Sequence, residues 1–190
     1  NIEVLKIKIA YLCLSFFQSF TAMMTFNWVP ILASALIPLL VGTIYYNDRV
    51  FGKMWKRYAG VDDARLRQGN FPLILLFTLL LGFLLAGFLL PVVFHVMHVF
   101  SQTAPTGGVP VDVNSESYKD ALAFFQKYGG NYRTFKHGAL HGAIVTMTGI
   151  WPVIAINALF ERRGWRYTAV HTGYWLITLI LMGGVICAFG

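Results

Sequence analysis

The chain has 190 residues, 57% of them apolar and 12% charged, with a formal net charge of +7. Soluble domains carry about a quarter charged residues, so the deficit points to lipid as the surrounding solvent. Nucleic acid is excluded as the reason for the positive charge, because the cations sit in short segments beside apolar runs, where they orient helices and meet anionic lipid.

Crossing ~30 Å of hydrocarbon takes about twenty apolar residues of helix. Four uncharged runs answer to that length: Trp28 to Tyr46, Phe71 to Phe100, Gly138 to Phe160 and Val170 to Gly190. Barrel strands would be about ten residues long with alternating polarity. These runs are continuous, which predicts helices. The expected fold is an all-α integral membrane protein, an antiparallel four-transmembrane-helix bundle with helices at about 30–46, 72–100, 138–160 and 170–189. An interfacial helix is expected in each of the two longer loops.

Residues 1–23 form a leader with two readings. Lys6 and Lys8 precede the apolar stretch Ile9 to Phe17, which suits a signal-like segment or a short extra N-terminal helix. Met23-Met24 stands directly before Thr25-Phe26-Asn27-Trp28, which suits a start at one of these methionines and an over-extended frame upstream. On the second reading residues 1–23 are dispensable and the membrane domain is 24–190.

In helix 1, Pro30 falls in the first turn, where its missing N–H costs nothing, and Pro38 predicts a kink. Trp28 and Tyr45-Tyr46 mark the two interfaces. Loop 1, residues 47–70, carries Arg49, Lys53, Lys56, Arg57, Arg65 and Arg67. Within it Val50, Phe51, Met54, Trp55 and Tyr58 recur at helical spacing, predicting a helix that lies on the bilayer surface. Helix 2 is longer than a span needs, so it must tilt, bend at Pro91 or project beyond the lipid. Gly82 and Gly87 allow close helix contact.

Loop 2, residues 101–136, opens on Pro105-Thr106-Gly107-Gly108. An amphipathic helix follows from Ser117 to Tyr128, with Tyr118, Ala121, Leu122, Phe125 and Tyr128 on one face and Gly129-Gly130 ending it. It reads either as a lid over the helix ends or as a helix resting on headgroups. Helix 3 offers Gly138-x-x-x-Gly142 as a packing face, a bend at Pro152 and a basic end at Glu161-Arg162-Arg163. Helix 4 carries Gly183-Gly184 near its end. Cys13 and Cys187 both lie in apolar sequence and imply no disulfide framework.

Loop 1 has six cations, and the short loop 3 has Arg162, Arg163 and Arg166. Loop 2 spreads Lys119, Lys127, Arg133 and Lys136 over a longer stretch beside Asp112, Glu116 and Asp120. The positive-inside rule then places loops 1 and 3 in the cytoplasm, and loop 2 and the C-terminus outside.

Several short strings together resemble one family. They are Asn27-Trp28, Tyr45-Tyr46, Phe51-Gly52-Lys53-x-Trp55, Leu140-His141-Gly142, Asn157-x-x-Phe160-Glu161-Arg162, Gly173-Tyr174-Trp175 and Met182-Gly183. From about Asn27 to Gly190 the chain resembles the DUF1761 domain of unknown function, found in small bacterial membrane proteins. The resemblance implies a bacterial source and the inner membrane, and brings no activity with it. Loop 2 is longer than in a compact member of that family.

Two constellations can carry chemistry. His95 and His98 are three apart at the end of helix 2, and His137 and His141 four apart at the start of helix 3, so each pair shares a face. Neutral imidazoles suit a transition metal. No Asp, Glu or Cys adjoins them, and helix packing or a pH-responsive role is the competing account. At the other end Asn157, Glu161, His171 and Tyr174 form a possible polar clasp, with Asn157 bonding Tyr174 or His171. There is no phosphate loop, no His-Glu-x-x-His and no nucleophile elbow, and no charge lies mid-membrane. The expected function is a non-catalytic membrane scaffold or subunit, with an oligomeric transporter or channel and a histidine-based metal protein as alternatives. Its expected partners are the bilayer, anionic lipid at the cytoplasmic face and a second copy of the chain.

Overall fold

A computed structural model describes residues 27–103 and 114–190 of the chain. The leader, in either reading, and the turn-rich Pro105–Gly108 segment lie outside the described residues. No strand occurs among the described residues. In chain order the helices are α1 (Trp28–Ser34), α2 (Ile37–Tyr45), α3 (Gly52–Ala59), α4 (Asp63–Arg67), α5 (Phe71–Val93), α6 (Val96–Thr103) and α7 (Glu116–Tyr128). Then come α8 (Phe135–Val145), a π turn (Thr146–Ile150), α9 (Trp151–Phe160) and α10 (Trp165–Phe189). Four stretches are long and apolar enough to cross a membrane: Trp28–Tyr45, Phe71–Val93, Phe135–Phe160 and Trp165–Phe189. The protein is an all-α membrane bundle.

Proline chemistry explains where the spans break. Pro38 has no N–H, and its ring crowds the carbonyl of Ser34. The chain therefore leaves the α-helix at Ala35 and Leu36, whose N–H groups reach back only three residues, to Leu32 O and Ala33 O, both at 3.1 Å. Pro152 has a similar effect on the third span. Just upstream the helix widens into the π turn, where the Trp151 N–H reaches the carbonyl of Thr146, five residues back. The second span was expected to be continuous to residue 100. Instead α5 ends at Val93, two residues after Pro91, and α6 begins afresh at Val96. The fourth span begins at Trp165, a turn before the expected Val170, because Gly164 supplies an extended cap directly after loop 3.

The chain forms two compact units. The described part of one is residues 27, 94–103 and 114–132, and it contains α6 and α7, which touch. In α7 the Ser115 hydroxyl accepts the Tyr118 N–H at 3.3 Å, a normal N-cap. Most of the expected apolar face is the sheltered one: Ala121 is buried and Tyr118, Leu122 and Phe125 are half-buried, while Tyr128 at its end is exposed.

The other unit, Trp28–Val93 with Arg133–Gly190, holds all four spans. Its hub is α10, which touches α1, α2, α3, α5, α8 and α9 and buries Leu179, Met182 and Ile186 completely. The Gly138-x-x-x-Gly142 face of α8 lies against α10: a methyl on Gly138 would strike the carbonyl of Gly183, and one on Gly142 the carbonyl of Leu179. Rising numbers on α8 meet falling numbers on α10, so these spans are antiparallel. Gly82 brings α5 onto the carbonyl of Ala35, whereas Gly87 has open space around it. The opposite face of α5 leaves Leu76, Leu80, Leu84 and Phe88 more than half exposed, a stripe that fits acyl chains.

Candidate functional site

One end of the four-span unit carries loops 1 and 3, and here the side chains with polar tips gather. Tyr45 closes α2, and its hydroxyl donates to the carbonyl of Val170 at 3.0 Å. One turn further along α10, Tyr174 donates to the carbonyl of Pro38, also at 3.0 Å. These two reciprocal bonds tie the first span to the fourth. They suit their places: each tyrosine buries its ring and needs a partner for its hydroxyl.

The aromatic cluster spreads from that pair. Phe51 stacks on Tyr45 with centroids 4.5 Å apart, Trp55 lies 5.1 Å from Tyr46, and Tyr46 lies 5.1 Å from Tyr174. Trp55 and Tyr58 of α3, read from the sequence as lipid-facing, pack instead against this cluster, while Met54 and Val50 stay exposed. His171 sits among them. Its Nδ1 lies 3.5 Å from the Tyr46 hydroxyl, at the limit of a hydrogen bond, and its ring is 4.4 Å from that of Tyr167. Its Nε2 is buried without a hydrogen-bond partner, and so is Oγ1 of Thr172.

Loop 3 is clamped to loop 1. Nη1 of Arg163 donates to the carbonyls of Tyr58 (3.2 Å) and Ala59 (2.9 Å), and its Nε lies 3.7 Å from Glu161. The chain turns by a Schellman motif in which Arg162 N–H meets Leu159 O and Arg163 N–H meets Ala158 O. Arg162 takes the left-handed position, φ 56, that glycine usually fills, at about 1–2 kcal/mol for a residue with a Cβ. Within loop 1, Lys56 bridges Asp48 at 3.0 Å and Asp63 at 2.7 Å. Hydrogen bonds to Asp63 and then Asp48 raise its ammonium pKa, and the same contact pulls the Asp63 carboxyl below its ordinary value.

The clasp residues are placed differently from the expected set. Tyr174 and His171 turn to the first span, not to Asn157. Asn157 is exposed on α9, and Glu161 pairs with Arg163. Of the four other histidines, His137 and His141 lie one turn apart on α8, both half-buried, with rings in edge contact at 4.5 Å. Thr134 caps that helix by accepting the His137 N–H at 3.2 Å. His95 and His98 belong to the other unit: His95 stands in the turn before α6, His98 inside it, and both are exposed. The sequence reading took Tyr45 and Tyr46 as an interface marker and Trp55 and Tyr58 as part of a surface-lying helix, and passed over Tyr167 and Thr172. The available signal was Tyr167, His171 and Tyr174 at i, i+4 and i+7, one face of one helix.

The bond from Tyr174 gives a direct test. Replacing Tyr174 with Phe removes the donor and leaves the ring. Interhelical hydrogen bonds in membranes are worth ~0.6 kcal/mol on average and ~1.7 at most, so a loss of about 1 kcal/mol is expected. Unfolding in mixed micelles, followed by circular dichroism, measures it. An unchanged midpoint would mean that the bond contributes nothing.

Fold and site together define a four-span helical membrane protein whose polar end is a tyrosine-rich tie between its first and last spans. The chain matches the family described as "Protein of unknown function (DUF1761)" over residues 29–187, and it belongs to that family. Searches of curated proteins and of solved structures find no match.

Proposed function

We propose that this is a non-catalytic module of the bacterial inner membrane, a small scaffold or subunit, with loops 1 and 3 in the cytoplasm and loop 2 and the C-terminus outside. The observation that carries this reading is where the spans spend their hydroxyls. Ser34, Thr43, Thr78, Thr146, Thr148 and Thr178 each donate to a carbonyl three or four residues back. Tyr45 and Tyr174 tie spans together. The charges within the spans, Lys136 and Arg166, lie in their first turns. Polar groups so used hold helices and line no path; Thr172, whose hydroxyl has no partner, is the exception. The bilayer is the first partner, and the cations of loops 1 and 3 draw anionic headgroups to the cytoplasmic face.

The test is flux. Full-length protein in sealed vesicles should leave proton, potassium and small-solute permeability at the level of protein-free vesicles. A saturable flux that tracks protein content would replace this reading with the transporter. The contact between His137 and His141 favours a second reading, a metal-binding membrane protein, since two neutral imidazoles one turn apart can share an ion. Metal analysis of purified protein beside His141→Ala decides it: metal in whole-number stoichiometry, lost in the variant, supports the metal site, and equal trace content in both removes it.

A further inference from the structure

Two hollows share Trp165 in their lining. The larger, about 610 Å³, runs between α9 and α10 and is walled by Met147, Trp151, Ala155 and Leu176, with Arg163 also in its lining. The smaller, about 270 Å³, is lined by Tyr58, Gly164, Trp165, Arg166 and Tyr167. The larger hollow follows from the packing. Before the π turn, glycines press α8 onto α10; after it, α9 buries only Ala158, and space opens between the helices.

Its wall holds an unusual group. Thr172 is 9% exposed, and its hydroxyl has no partner, whereas Thr146, Thr148 and Thr178 all satisfy theirs on a carbonyl one turn back. A buried hydroxyl without a partner destabilises the fold, so an acceptor supplied from outside would be favoured. The lining carries two arginines. Arg163 is shared with Glu161, while Arg166 forms no ion pair among the described residues and rests over the Trp165 ring, 5.7 Å from its centroid.

We propose that the two hollows hold one anionic phospholipid: its phosphate beside Arg166, one acyl chain along the larger hollow, and an ester carbonyl accepting from Thr172. Arg166 and Thr172 are six residues apart, about 9 Å along the helix. The reach of the arginine side chain and a glycerol ester linkage together span that separation. An apolar trough with a cationic end and one buried donor between them matches an anionic amphiphile better than it matches the uniformly apolar face of a second copy. This rests on the lipid contact proposed above and gives it a place. The two ideas fail separately, because general attraction to loop cations does not depend on the trough.

The experiment uses the full chain in phosphatidylcholine vesicles doped with dibrominated phosphatidylglycerol or dibrominated phosphatidylcholine. Bromine on the acyl chains quenches Trp151 and Trp165, which wall the trough. The expected result is quenching at about fivefold lower mole fraction for the anionic lipid, the ratio that one well-placed cation supplies. Ala155→Phe fills the trough and leaves every charge in place, so it should abolish the preference. Thr172→Val should raise the unfolding temperature in lipid-free detergent, by removing the unmet hydroxyl, and should lose most of the further rise that phosphatidylglycerol gives the parent. Equal quenching by both lipids would reduce the trough to ordinary annulus and overturn the proposal. A preference that survives in a folded Ala155→Phe protein would assign it to diffuse surface charge and also overturn it. So would a dimer dissociated by that substitution without any lipid preference, which would put a second copy in the trough.

Discussion

Gly142→Leu is expected to separate the third span from the fourth. At Gly142 the backbones of α8 and α10 are already in contact, and even a methyl would run into the carbonyl of Leu179. That carbonyl belongs to the hub helix and cannot rotate aside as a flexible side chain would. Overpacking usually costs 1–3 kcal/mol, and a group forced against backbone lies at or above the upper end. Gly142→Ala should therefore lose about 2 kcal/mol, and Gly142→Leu should leave little folded protein, read as the unfolding midpoint in mixed micelles and the yield of monodisperse material. The control is Gly87→Ala, the same chemical change at a glycine with nothing within 4 Å. Relief of glycine's poor helix propensity, about 1 kcal/mol, makes that substitution neutral or stabilising. Equal effects at the two positions would mean that helix propensity decides, not the close approach of α8 and α10.

The second large effect is all-or-none. Alkaline phosphatase, active only outside the cytoplasm, should be active when fused after Gly190 and silent when fused after Arg57. The charge argument counts six cations in loop 1 and three in loop 3. The clamp from Arg163 to the carbonyls of Tyr58 and Ala59 adds an independent constraint, because it holds those two loops at one end of the bundle. Whichever side receives one receives the other. Activity at Arg57 would invert the whole arrangement.

The spans were legible because their signal is length without charge, and lipid demands little more. The inward faces were not, and the reason is also lipid. In water a helix shows its inner face as an apolar stripe against a polar one. In α5 and α10 both faces are apolar, so the inward side is marked only by small residues and hydroxyls. The glycines of α8 could be read that way and pack as read. Tyr174 could not: its partner, the carbonyl of Pro38, lies 136 residues earlier and carries no side-chain signature. Asn157 was read as an inward polar group because polarity in a span usually seeks a partner, yet it lies exposed. A bend at Pro91 was one of three readings of the overlong second span, and the sequence could not choose the full break after Val93 because the residues on both sides are equally good span residues.

The π turn at Thr146–Ile150 has a consequence of its own. Such a turn is an α-helix with one surplus residue, and a residue in a helix is worth about 100° of rotation. The wide turn absorbs that surplus residue locally, so the helix on either side keeps its facing. Deleting one residue within Thr146–Ile150 would close the turn to ordinary α-helix and leave Gly138, Gly142, Ala155 and Ala158 facing as they do, whereas a deletion in the regular helix on either side would rotate everything beyond it by about 100°. The turn is thus the place in this span where the chain can lose a residue without turning either half against α10.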